Sequence, residues 1–65
     1  HRRNLRAGPQ MTIASTVYDE TVLTQVGQWV RVQFPDGTVV RVIGRLTDDR
    51  EAQREIVRAA SGGLL

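Results

Sequence analysis

Arginine dominates the reactive chemistry of this chain. There are nine basic residues, all of them arginine, against seven acids, and neither lysine nor cysteine occurs. Guanidinium is a planar donor fork that suits bidentate recognition of phosphate or guanine. Arg2, Arg3 and Arg6 lie within the first ten residues with no acid among them. Arg31, Arg41 and Arg45 follow at spacings that place them on one side of extended segments. Trp29 stands beside them and suits stacking on a base as well as packing at an interface. These residues point to a non-enzymatic nucleic-acid-binding surface, with Arg2, Arg3, Arg6, Arg31, Arg41 and Arg45 as the contacts.

Other chemistries lack their groups. The single histidine is His1, and the two serines, Ser15 and Ser61, have no base near them in sequence, which disfavours a nucleophile–base–acid arrangement. No thiolate is available to bind metal, no lysine to form a Schiff base, and there is no glycine-rich phosphate loop. Asp48, Glu51 and Glu55 could hold a hard cation. The ordinary role for such acids is helix-dipole compensation and Glu51–Arg54 and Glu55–Arg58 pairing, which is the expected one. The expectation is therefore no enzyme, no metal, no cofactor and no small-molecule substrate.

Those groups need elements to position them. Residues 1–10 read as a flexible basic arm, since only Leu5 and Ala7 are apolar there and ordering it alone would cost more entropy than it buries. The first residue is His1, so the chain reads as a processed product, a fragment, or a native start at Met11 behind a vector remnant. Residues 11–65 carry six arginines and seven acids and form a near-neutral single domain.

Met11 to Tyr18 is rich in β-branched residues and predicts a strand, with Met11, Ile13, Ser15 and Val17 on one face. Asp19-Glu20 is a polar break. Thr21 to Val26 is a short strand or a connecting loop, with Val22 and Val26 on one side. Val30, Val32 and Phe34 then alternate with Trp29, Arg31 and Gln33. Pro35-Asp36-Gly37 predicts a type I turn with a glycine bulge. The return strand, Thr38 to Arg45, sets Val40 and Val42 against Val39, Arg41, Ile43 and Arg45, with Gly44 marking a bend or bulge. The mixed face of this hairpin carries Trp29, Arg31, Arg41 and Arg45.

A helix follows, capped by Thr47 or Asp48, with Asp48 and Glu51 spaced as a capping box. Ala52, Ile56, Val57, Ala59 and Ala60 form its apolar arc. Arg50, Arg54 and Arg58 form an adjacent ridge, and Ser61-Gly62-Gly63 ends the helix. The order strand–Pro-Asp-Gly–strand–Gly–helix, with Gly44, Glu51, Ala52, Arg54, Arg58, Ala59 and Ala60, loosely resembles three-strand-plus-helix DNA-binding domains of the integrase-arm type. The last hairpin and helix are similar to the second half of a double-stranded-RNA-binding domain. Each resemblance covers about 30 residues and implies nucleic-acid binding. Both depart where it matters: Val30, Val32 and Phe34 stand where the first family has basic residues facing DNA, and Asp48, Asp49 and Glu51 where the second has a basic phosphate clamp. No family is assigned and no site is carried over.

The assembled expectation is a small α+β domain: a small antiparallel sheet (β-β-β-α) with one C-terminal helix packed on one face. A chain of this length buries only about 60% of its unfolded surface, and three alanines thin the helix face. Trp29, Ile43, Leu64 and Leu65 are the expected interface through which a homo-oligomer, or a larger complex, completes burial. The alternative function is a structural or assembly subunit, for example of a viral particle, with the arm strapped onto a neighbour. No apolar run approaches a membrane-spanning length and no signal-peptide core is present, so no membrane is expected, and the expected setting is the cytoplasm or an assembled particle.

Overall fold

A computed structural model describes residues 12–62. Four strands, β1 (Ser15–Tyr18), β2 (Thr21–Val26), β3 (Trp29–Gln33) and β4 (Val39–Ile43), precede one helix, α1 (Arg50–Gly62). The strands form a single antiparallel sheet in the order β1-β2-β3-β4. The architecture is the expected small α+β, with Thr21 to Val26 resolved as a strand, so that the sheet has four strands before the helix.

Each connection has a local cause. Tyr18 pairs with Thr21 across Asp19-Glu20, and both turn residues have positive φ, 50° and 68°. That is the pattern of a type I′ turn, whose twist matches the flanking strands. Val26 pairs with Trp29 across Gly27-Gln28, with Gly27 at φ 59°. The third connection is the expected one. The Gly37 N–H donates to the Phe34 carbonyl at 2.9 Å, Phe34 N–H to the Thr38 carbonyl at 2.8 Å, and Gly37 takes φ 97°.

The period of two then sorts side chains. The inner face carries Leu23, Val30 and Val32, all fully buried, and α1 covers it. Leu46 and Ala60 complete the buried core, and Ile13, Tyr18, Phe34, Val40, Val42, Ile56 and Val57 pack around it. Five small or medium side chains are a thin core, as expected for this length.

In β2 Val22 and Val26 share one side, as expected, and that side faces outward, with Thr21 and Leu23 inward. The structure corrects several other expectations. The first strand begins at Ser15 rather than near Met11, which lies outside the described residues. Ile13 consequently joins the core although it shares parity with exposed Val17, because the chain bends at Ala14. Thr12 and Ile13 cross to the segment after β4: Thr12 bridges Thr47, and the Ile13 N–H donates to the Leu46 carbonyl at 3.1 Å. The two edges of the sheet are thus tied together at one end. In α1 the first intrahelical bond runs from Gln53 N–H to the Asp49 carbonyl at 3.0 Å, which places the N-cap at Asp49, one residue past Asp48. Thr47 contributes by accepting the Asp49 N–H at 3.3 Å. Ala59 is exposed and Gln53 is buried in its place, so the covered stripe is Gln53, Ile56, Val57 and Ala60. The helix runs through Ser61 to Gly62.

Candidate nucleic-acid interface

The outer face of the sheet is built row by row from the strand register. One row reads Ser15, Thr24, Arg31, Arg41 across β1 to β4; the next reads Val26, Trp29, Ile43 across β2 to β4; a third reads Val17, Val22, Gln33, Val39. No aspartate or glutamate occupies any of these positions. Arg31 and Arg41 are direct cross-strand partners, a placement that brings Cβ atoms to about 5 Å and disfavours like charges. The two guanidinium groups diverge. Arg41 lies over the Trp29 ring, 4.9 Å from its centroid, a cation–π contact. Arg31 turns along its own strand and donates to Gln33 Oε1 at 3.0 Å.

Trp29 is half-buried on this outer face, with Val30 and Val32 alone of its strand sealed in the core. Ile43 is 81% exposed and Val17 55%, and Val22, Val26 and Val39 are exposed around them. Of the expected mixed face, Trp29, Arg31, Arg41 and Ile43 lie on neighbouring positions of β3 and β4. Arg45 is exposed but lies beyond the end of β4, past the bend at Gly44, and is not in the Arg31–Arg41 row. Arg2, Arg3 and Arg6, and Leu64 and Leu65, lie outside the described residues.

Two glutamines that the sequence did not single out tie elements together, Gln25 behind this face and Gln53 at the start of the helix. Gln25 points toward the end where the sheet edges meet. Its Nε2 lies 3.0–3.1 Å from the carbonyls of Gly27, Trp29 and Gly44, and its Oε1 accepts the Leu46 N–H at 2.6 Å. One side chain thereby pins the β2–β3 turn, the start of β3 and the exit of β4, and it fixes the backbone that carries Trp29. Gln53, 2% exposed, donates to the Thr47 carbonyl at 2.9 Å and accepts from Arg50 at 2.7 Å. The only sequence signal for either was a polar residue at an inward-facing strand or helix position.

Several other charges are engaged elsewhere. Arg50 reaches from the helix to the Val17 carbonyl at 3.2 Å and lies over the Tyr18 ring, 4.4 Å from its centroid. Arg54 pairs with Glu51 at 3.4 Å and Arg58 with Glu55 at 3.9 Å, both exposed. This is the pairing expected of these acids, and among the described residues no group of three or more potential ligands gathers around a metal position. Asp36 accepts the Thr38 N–H at 2.9 Å, and that bond holds its carboxyl below the ordinary 3.8. No pocket opens among the described residues, and no helix among them is long and apolar enough to cross a membrane.

No protein-family model, curated protein or solved structure matches the chain.

Proposed function

We propose that the chain is a non-enzymatic nucleic-acid-binding module that uses the outer sheet face as its contact surface. The observation that carries this reading is the row of Arg31 and Arg41 beside Trp29, on a face without a carboxylate. Two guanidinium groups on directly opposed positions repel, an anion between them would offset that repulsion, and phosphate is one of the two anions that guanidinium forks grip bidentately. Trp29 offers a ring to an unstacked base, and the Arg41 stack keeps the guanidinium beside it. Arg45 would add a phosphate contact beyond the end of β4, and Arg2, Arg3 and Arg6, outside the described residues, would add others. The non-enzymatic part rests on the sequence, which holds one histidine, at position 1, and no cysteine or lysine.

Binding to duplex and single-stranded DNA, measured at ~50 and ~200 mM salt, tests the reading. A surface that neutralises several phosphates gives an affinity that falls steeply with salt, and each lost phosphate contact reduces the slope by about one. Arg31→Gln, Arg41→Gln and deletion of residues 1–10 should each flatten it. Trp29→Ala should weaken single-stranded binding by about 1–3 kcal/mol. Binding that is absent, or indifferent to salt, overturns the reading.

A second reading has its own observation. Ile43, Val17 and Val39 lie exposed around the arginines, and apolar side chains in a contiguous patch favour a protein neighbour. On that reading the chain is an assembly subunit, for example of a viral particle, and the arginines meet carboxylates of the next subunit. A stable, salt-insensitive monomer that binds no protein would count against it.

A further inference from the structure

We infer that β4 pairs with β4 of a second copy, antiparallel about a two-fold axis at Arg41, to make one eight-stranded sheet. The backbone register shows why this edge is open. Gly44 N–H donates to the Gln28 carbonyl and Phe34 N–H to the Thr38 carbonyl. In an antiparallel ladder bonded pairs alternate with unbonded ones, so Thr38, Val40, Val42 and Gly44 direct their backbone groups toward β3. Val39, Arg41 and Ile43 direct theirs away from it, and among the described residues no strand lies beyond. The opposite edge is managed differently. Val17, one of the two outward-directed residues of β1 with Ser15, has its carbonyl taken by Arg50.

The occupant follows from the symmetry of the strand. β4 reads Val39-Val40-Arg41-Val42-Ile43, apolar–apolar–charged–apolar–apolar about its centre. A two-fold axis at Arg41 lays Val39 against Ile43 of the second copy and Val40 against Val42, pairs all five residues and covers the most exposed apolar side chain of the sheet, Ile43. The residues that would exchange backbone bonds are the three whose groups point away from β3 and meet no strand among the described residues. The cost is Arg41 against Arg41, and the structure lessens it by drawing each guanidinium over its own Trp29, on the strand away from the edge. The outer faces then join. Arg31, Arg41 and their two copies form a single row of four arginines, at strand intervals of about 4.8 Å.

The dimer stands on the edge geometry alone. Its coupling to a polyanion rests on the nucleic-acid reading, and the experiment separates the two. Sedimentation equilibrium of the full chain, with and without a dT oligonucleotide, should show a reversible dimer that the oligonucleotide strengthens. Ile43→Lys changes an exposed side chain and should weaken the dimer about tenfold or more while the helix and strand signal in circular dichroism is kept. Arg41→Gln should tighten the oligonucleotide-free dimer about two- to fivefold and weaken oligonucleotide binding, opposite shifts from one change. The chain has no cysteine, so Arg41→Cys reports the register directly. Bonded antiparallel partners have Cα atoms about 5.5 Å apart, within disulfide reach, and this variant should cross-link on oxidation while Thr24→Cys does not. A dimer that binds neither the dT oligonucleotide nor duplex DNA keeps this proposal and removes the nucleic-acid reading. A monomer at every concentration, or a dimer in which Arg41→Cys stays reduced, overturns the proposal itself.

Discussion

Single polar side chains carry more of this small structure than its apolar count suggests. Gln25 bonds backbone groups in the β2–β3 turn, at the start of β3 and after β4. Truncating it strands a part-buried N–H and carbonyls, and each such group costs about 1–3 kcal/mol when left unsatisfied. Gln25→Ala should therefore lower unfolding free energy by about 2–3 kcal/mol in chemical denaturation, more than an average surface change. Leu46→Ala should cost about 2–5 kcal/mol, because Leu46 is fully buried in a core of five. Asp36 has a pH signature. Its carboxyl is held below its unfolded value by the Thr38 N–H, so its contribution is present above about pH 4 and is lost as pH falls through the lower folded value. Asp36→Asn should flatten the dependence of stability on pH in that acid window and leave the neutral range little changed.

At the scale of elements, turns decide where strands begin and end. The β1–β2 connection places Glu20 at φ 68°, a left-handed conformation that costs a residue with a Cβ about 1–2 kcal/mol. Glycine relieves that strain but adds chain entropy to the unfolded state. Glu20→Gly should therefore raise stability by about 0.5–1 kcal/mol in thermal melts, with the sheet unchanged. The helix is joined to β1 by Arg50, through the Val17 carbonyl and the Tyr18 ring. The exposed Glu51–Arg54 and Glu55–Arg58 pairs contribute about 0.5 kcal/mol each at most. Arg50→Ala should thus destabilise more than Arg54→Ala, a ranking that denaturation of the two variants would read.

For the whole molecule the decisive feature is an inner face with a thin core and an outer face left with aliphatic side chains, a tryptophan and two opposed arginines. Association would bring stability that the single chain lacks, since whatever binds only the folded form stabilises it by mass action. The melting temperature should accordingly rise with protein concentration and with added oligonucleotide, and the second rise should fade as salt increases. A melting temperature independent of concentration would show that the single chain stands alone.

The amino-acid order by itself determined the features that depend on neighbours a few residues apart. The Pro35-Asp36-Gly37 turn, the alternation of Val30 and Val32 with Trp29 and Arg31, and the Glu–Arg pairs of the helix all follow from local φ preference and from periods of two and 3.6. Tertiary structure decided what local period leaves open. In Thr21 to Val26 apolar residues occur on both faces, and only pairing with β1 and β3 turned Leu23 inward and Val22 outward. On the helix, Gln53 was preferred to Ala59 because the Thr47 carbonyl and Arg50 were there to satisfy its amide. A strand or helix declares which residues share a face, but which face is buried depends on partners far away in the chain.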